Sequence, residues 1–341
     1  MKETDASTIG PRSVKPTAPR ARSASEPPPR LRIRRVLVPI DFSPASREAL
    51  AFVIPLLEKF DAELHLLHVF EPDYPLSSML ALPLIVPELE IGRRVRAHLK
   101  DVAVKHSIAL RRENIHAVKG RPFEEICRLA RALEIDLIVT ATHGRTGLKH
   151  LALGSVAERV VRHSECPVLV VRPIGGRARL RQPTFKKILV PVDFSACSAK
   201  GLAYAKAIAQ EFGSRLMLVN SVDLHYYSTN PEYLLYDFPP LLAASEKAAR
   251  DQMGELVDRC EQDGVAVEHS LESGHAGEQI CRRAQDLGAE LIITSTHGRT
   301  GLKHVLLGST AEYVVRHAPC PVLVVPSHER PPLGPREARR K

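Results

Sequence analysis

Tryptophan is absent from the sequence, and aromatic residues make up only 5% of its 341 positions. Any core must therefore be aliphatic, and the 44% hydrophobic content supplies it, mostly as Leu, Val, Ile and Ala. There are six cysteines and no C-x-x-C pair. So few cysteines in so long a chain argue against a disulfide framework and for small buried thiols in a reducing compartment. No long hydrophobic run is present. The longest apolar window, "PLSSMLALPLIVPELEI" (75–91), is too short and too interrupted by proline to span a bilayer, so a soluble protein is expected. The first residues lack a secretory h-region, and their prolines and acids fit a transit peptide poorly, so the expected location is cytoplasmic.

The formal charge is +9, which raises the question of nucleic-acid binding. Its distribution argues otherwise. Residues 1–35 hold nine Lys/Arg against three Asp/Glu, and residues 327–341 hold five against two. The stretch between them sums to zero. A nucleic-acid-binding domain would carry a basic face of its own. The two ends, 1–33 and 327–341, read as basic disordered tails poor in large apolar residues.

What the chain does have is a repeat. "THGRTGLKHLALGS" (142–155) and "THGRTGLKHVLLGS" (296–309) differ at two positions. "RVLVPIDFSPASREALAF" (35–52) matches "KILVPVDFSACSAKGLAY" (187–204) at an offset of 152, and "CPVLVVRP" (166–173) matches "CPVLVVPS" (320–327) at 154. Two units follow, 34–173 and 185–326, joined by the Gly-, Arg- and Pro-bearing linker 174–184. Cys127 and Cys281, like Cys166 and Cys320, are repeat-equivalent.

Each unit alternates short apolar strands with helices. In the first, "RVLVPI", "ELHLLHVF", "NIHAVKG", "DLIVTA" and "PVLVVR" read as strands, with helices between them. Ser43-Pro44 is an N-cap followed by proline at the first helical position. The expected fold is α/β: two tandem doubly wound, Rossmann-like domains, each a five-stranded mainly parallel sheet with helices on both faces.

The doubled loop leaves strand four near Ala141 or Ser295 and enters a helix at Gly154-Ser155 or Gly308-Ser309. It thus lies at the carboxyl ends of the strands, where open α/β sheets bind ligands. Glycines allow close backbone approach, a helix N-terminus attracts an anion, and Ser155 adds a hydroxyl donor. A phosphate cradle is expected. It is neither a P-loop nor a dinucleotide fingerprint, because no Lys precedes the serine and no G-x-G-x-x-G follows strand one.

The sequence resembles a tandem universal stress protein with two UspA-type domains. The family's nucleotide-binding members carry G-x2-G-x9-G-S/T after strand four. Here Gly144, Gly154 and Ser155 match that pattern, as do Gly298, Gly308 and Ser309. Ala141 and Ser295 stand where the first glycine would be. "VPIDFS" and "CPVLVV" resemble family hallmarks as well. The resemblance implies bound ATP, with magnesium as an accompanying cation. It implies that Asp41 and Asp193 lie on the adenosine side and that Val69 and Ser221 meet the base through their backbones. Ser221 replaces the usual apolar residue, so the first unit is expected to be the stronger site. The family also dimerises through strand five. The two fifth strands of this chain are accordingly expected to form an internal pseudo-dimer, leaving room for a homodimer of whole chains.

Simpler roles stand beside these. Asp41 and Asp193 could cap the first helix of each unit. Arg145, Lys149, Arg299 and Lys303 could neutralise phosphates or be solvated loop charges. His143 and His297 lack a second ligand at a metal-binding spacing, and His65 and His68, three apart on a strand, point to opposite faces. The segment 223–242 carries four of the chain's seven tyrosines and suits a lid, a partner surface or plain packing. No catalytic constellation recurs, so at most slow ATP hydrolysis or autophosphorylation is expected. The alternative is a scaffold of the same fold that binds no nucleotide.

Overall fold

In the computed structural model, residues 33–70, 88–142, 153–172, 183–222, 238–298 and 307–327 are described. The first unit runs β1 (Arg35–Pro39), α1 (Pro44–Phe60), β2 (Glu63–Phe70), α2 (Glu88–Lys105), a 3-10 turn, β3 (Ile115–Lys119), α3 (Pro122–Ala132), β4 (Leu137–Ala141), α4 (Ser155–His163) and β5 (Val168–Val171). The second repeats it: β6 (Lys187–Pro191), α5 (Ala196–Phe212), β7 (Arg215–Val222), α6 (Phe238–Gln262), β8 (Val267–Ser273), α7 (Ala276–Leu287), β9 (Leu291–Ser295), α8 (Ser309–His317) and β10 (Val322–Val325). The tails, most of the linker and most of the tyrosine-rich segment lie outside the described residues.

The strands form a single ten-stranded sheet in the order β3-β2-β1-β4-β5-β10-β9-β6-β7-β8. Pairing is parallel within each half. It is antiparallel at the centre, where Val168, Leu169 and Val170 face Val324, Leu323 and Val322. Central strands are apolar on both faces because helices cover both. One layer packs Leu50, Val53, Leu202 and Ala205 on the sheet, and the other packs Ile126, Val160, Ile280 and Val314.

Local signals act the same way in both units. Ser43 and Ser195 cap α1 and α5, their Oγ atoms accepting the N–H of Ser46 at 3.2 Å and Ser198 at 3.1 Å. Both helices end on a left-handed residue, Asp61 (φ 49°) in one unit and Gly213 (φ 61°) in the other. After α3 and α7 the same conformation falls to Glu134 and Gly288.

Two clusters cross the junction between units. Four of the nine phenylalanines, Phe52, Phe185, Phe212 and Phe60, stack in succession at centroid distances of 5.7, 5.0 and 6.2 Å. Phe185 is fully buried. On the opposite face, Glu158 and Arg162 of α4 meet Glu312 and Arg316 of α8. Each arginine pairs with both glutamates at 2.9–3.1 Å, which closes a neutral ring.

The repeat also exchanges bulk between helices. In the first unit Phe123 of α3 fills a space over which the Arg159 guanidinium lies, 5.1 Å from the ring centroid. In the second, the equivalent of Phe123 is Gly277, and Tyr313 stands in place of Arg159. A Cβ on Gly277 would lie 2.7 Å from the Tyr313 ring. Gly277→Ala is expected to destabilise the protein by about 1–3 kcal/mol. Adding Tyr313→Arg should remove most of that loss, as read from urea denaturation midpoints.

Candidate functional site

In each half the strand order reverses beside the first strand, between β1 and β4 and between β6 and β9. Adjacent loops part there and leave a crevice at the carboxyl edge. Asp41 and Asp193 follow β1 and β6. Neither caps a helix: Ser43 and Ser195 do that, and the aspartates brace them. Asp41 Oδ1 accepts from the Ser43 N–H at 3.0 Å and Oγ–H at 2.6 Å, and Asp193 repeats both bonds with Ser195 at the same distances. The intervening Phe42 and Phe194 both adopt φ 64°, a conformation that bulky side chains seldom take. The turn that presents the aspartate is thus strained identically in both copies.

The glycine loop is tied at its base. The Gly154 N–H donates to Thr142 O at 2.6 Å and the Gly308 N–H to Thr296 O at 2.7 Å. Thr142 and Thr296 are held in turn by Val171 O and Val325 O, both at 3.0 Å. These bonds use the Gly154 and Gly308 N–H groups. The first helical rungs are Glu158 N–H to Gly154 O and Glu312 N–H to Gly308 O. The N–H groups of residues 155–157 and 309–311 therefore have no intrahelical partner. Ser155 and Ser309 are exposed at these helix starts.

Two glycines of the second unit are required by close approach. A Cβ on Gly298 would lie 2.6 Å from Asp193 Oδ2, and one on Gly308 would lie 3.3 Å from Thr296 O. The structure thus brings together Asp193 and Gly298. Gly144 lies outside the described residues, as do His143, Arg145, Lys149, Arg299 and Lys303. Ala141 ends β4 and packs on the core. Val69 is half-buried, paired with Val118 of β3. The polar departures are satisfied locally: Ser295 Oγ–H donates to His297 O and Ser221 Oγ–H to Gly274 O, each at 2.8 Å. His297 Nδ1 lies 2.9 Å from Thr296 Oγ1 and 3.0 Å from Ser327 Oγ.

Sequence reasoning missed His68 and Asn220. The signal was a polar residue at the same place near the end of an otherwise apolar strand in both copies. His68 Nδ1–H donates to Ile40 O at 2.5 Å, and Asn220 Nδ2–H donates to Val192 O at 2.8 Å.

Among the described residues, no group of three or more His, Cys, Asp or Glu side chains is arranged to hold a metal. No helix among them is long and apolar enough to cross a membrane. All six cysteines are free, and burial pushes Cys127 and Cys281 up to about 11 and Cys320 up to about 12, far from a reactive thiolate.

The family model described as "Universal stress protein family" matches residues 32–172 and 184–326. A universal stress protein of Methanocaldococcus jannaschii is 34% identical over 146 residues, covering 41% of this chain and 82% of its own length. One from Synechocystis sp. is 32% identical over 150 residues, covering 41% and 97%. The crystal structure of a universal stress protein from Archaeoglobus fulgidus superposes with a TM-score of 0.61 at 22% identity, covering 86% of this chain and 98% of that one. Fold and site together define a tandem, doubly wound α/β protein with a switch point in each half. The chain belongs to the universal stress protein family.

Away from the crevice, His65 of β2 and His116 of β3 stack at 5.4 Å, with Nδ1 and Nε2 3.1 Å apart. His68 turns to the opposite face, against Phe42. Burial, then the neighbouring His65, pushes His116 down to about 4. Burial also lowers His65, against the pull of Glu63 and with the help of Arg35. The unfolded chain therefore takes up a proton at His116 near 6.5 that the folded chain refuses until about 4. The stability that the neutral His116 contributes is complete above pH 6.5 and is lost as the pH falls toward 4. His116→Gln should flatten that decline in denaturation midpoints measured from pH 7 to 4.5.

Proposed function

We propose that the protein is an adenine-nucleotide-binding stress-response module, holding ATP with magnesium in each of its two crevices. Hydrolysis or autophosphorylation is at most slow. The observation that carries this reading is the tied glycine loop, repeated in both units, with Gly298 so close against Asp193 that a Cβ would collide. N–H groups at the starts of α4 and α8 and the hydroxyls of Ser155 and Ser309 suit phosphate oxygens. Asp41 and Asp193, across each crevice, suit the adenosine side, with Val69 and Ser221 offering backbone to the base. Ala141 and Ser295 are small enough to serve where the family has glycine.

In the same reading, the paired β5 and β10 join the units as an internal pseudo-dimer in the cytoplasm. A homodimer of whole chains would use another face, and nucleic acid and membrane are not partners. A second reading, a scaffold that binds no nucleotide, draws on Ser295 and Ser221, whose hydroxyls already find backbone partners.

The test is to denature protein purified without added ligand and quantify released adenine nucleotide, beside a Ser155→Asp/Ser309→Asp variant. An aspartate at a helix start stabilises the helix by about 0.3–1 kcal/mol yet repels phosphate. About two nucleotides per chain are expected in the parent and none in the variant, whose melting temperature should not fall. About one would mean that the units have diverged. No nucleotide, together with no calorimetric binding of magnesium ATP, would leave the scaffold.

A further inference from the structure

Ile40 and Val192 directly follow β1 and β6 and precede each aspartate, and both residues are buried. The Ile40 N–H continues the ladder to Leu67 O at 2.7 Å, and the Val192 N–H to Val219 O at 2.8 Å. The next residues leave the sheet through the strained phenylalanine turn. A buried carbonyl at that point needs a donor. In both units a side chain of the neighbouring strand supplies one, from equivalent positions but with different chemistry: His68 in one, Asn220 in the other. Both side chains are themselves buried, at 8% and 7% exposure. Since Ile40 O can only accept, the His68 Nδ1 must carry the proton. His68 also stacks on Phe42, with centroids 4.6 Å apart, so it grips the turn on both sides of Asp41.

We infer that His68 and Asn220 are positioning residues for the aspartates of the two nucleotide sites, fixing the carbonyl before Asp41 and Asp193 so that each carboxylate is held facing its crevice. The inference rests on the nucleotide reading. Its basis is the shared function of two unlike side chains. A position kept only for packing would not need a donor aimed at the same carbonyl in both copies. Asp193 is then located from three directions: the Val192 tether before it, the Ser195 bonds after it, and Gly298 against its Oδ2. The tether acts on the adenosine side of the ligand and leaves the phosphate-side helix start untouched.

Because unit two performs the task with asparagine, the chain supplies its own rescue. In a Ser309→Asp background, which isolates the first site, His68→Leu and His68→Asn are compared by calorimetry with magnesium ATP and with magnesium tripolyphosphate. His68→Leu is expected to lose about tenfold in ATP affinity, the effect of orphaning a buried carbonyl and freeing the turn, while tripolyphosphate binding is unchanged. His68→Asn should restore most of the ATP affinity. Asn220→Leu in a Ser155→Asp background gives the same comparison at the second site, and serves if His68→Leu does not fold. Equal loss of ATP and tripolyphosphate would mean general loosening and overturn the inference, as would unchanged ATP affinity in both leucine variants or a loss that asparagine does not restore. If the parent itself binds no ATP, the nucleotide reading falls and the positioning role with it.

Discussion

The antiparallel pairing of β5 with β10 is the constraint on which the rest of the structure depends. Each unit ends in a short, wholly apolar strand, "VLVV", which left at a sheet edge would expose unpaired backbone to any other chain. Meeting each other, the two strands turn two five-stranded sheets into one and bury both edges. The pairing also decides what happens on either face. It brings α4 against α8, where four charges of two signs close into the Glu158–Arg162–Glu312–Arg316 ring. On the other face it sets α1 near α5, where a chain short of aromatics concentrates four phenylalanines. The ring is half-buried and its geometry is reciprocal, so its contribution is to register more than to net stability.

The same pairing runs the strands of the two halves in opposite directions, so the two crevices lie at opposite strand-end edges of one continuous sheet. Strand order reverses beside β1 and β6, and the loops that part there carry the aspartate turn and the glycine loop. Neither loop is loose at its root. The glycine loop is closed by a backbone bond between its ends, and the aspartate turn is held by serine, by a strand-two side chain, and by a phenylalanine in a conformation it would not choose. Strain of that kind persists only where surrounding contacts over-determine it. Its recurrence in two copies that differ at most surface positions identifies the turn as a feature kept for what it presents.

Much of this was legible in the sequence, for identifiable reasons. Parallel strands covered on both faces must be apolar throughout, so "RVLVPI" and "PVLVV" announced themselves. Ser43-Pro44 marked a helix start because capping chemistry is local. The repeat located the loop by comparing the chain with itself. What escaped was tertiary. "DFSP" marks Ser43 as the cap, but it does not say that the aspartate before it braces that serine through both its N–H and its hydroxyl. That bracing depends on the path of the chain through Phe42. Nothing local says that the Gly154 N–H is spent on Thr142, twelve residues earlier, or that the histidine of "LLHVF" reaches across to the carbonyl that follows β1. The exchange of Phe123 and Arg159 for Gly277 and Tyr313 is visible only when two helices are seen to share one volume.

An internal duplication gives each position a natural substitution to be read against. Where the copies agree, as at the strained phenylalanine, the aspartate and the tied glycine, backbone geometry leaves few alternatives. Where they differ in chemistry but share geometry, the shared geometry is the requirement. Left-handed residues after helices take Asp or Gly, and Glu or Gly, because the conformation is fixed while the side chain projects to solvent. The donor to the strand-one carbonyl is histidine or asparagine, because a proton at one point is needed and either group delivers it. Where the copies differ in geometry as well, as between the stacked His65–His116 pair and its equivalents Met217 and Ser270, the position lies away from the crevice and serves only its own half of the sheet. By that criterion the constraints held in common converge on the two crevices, and the freedoms lie elsewhere on the sheet.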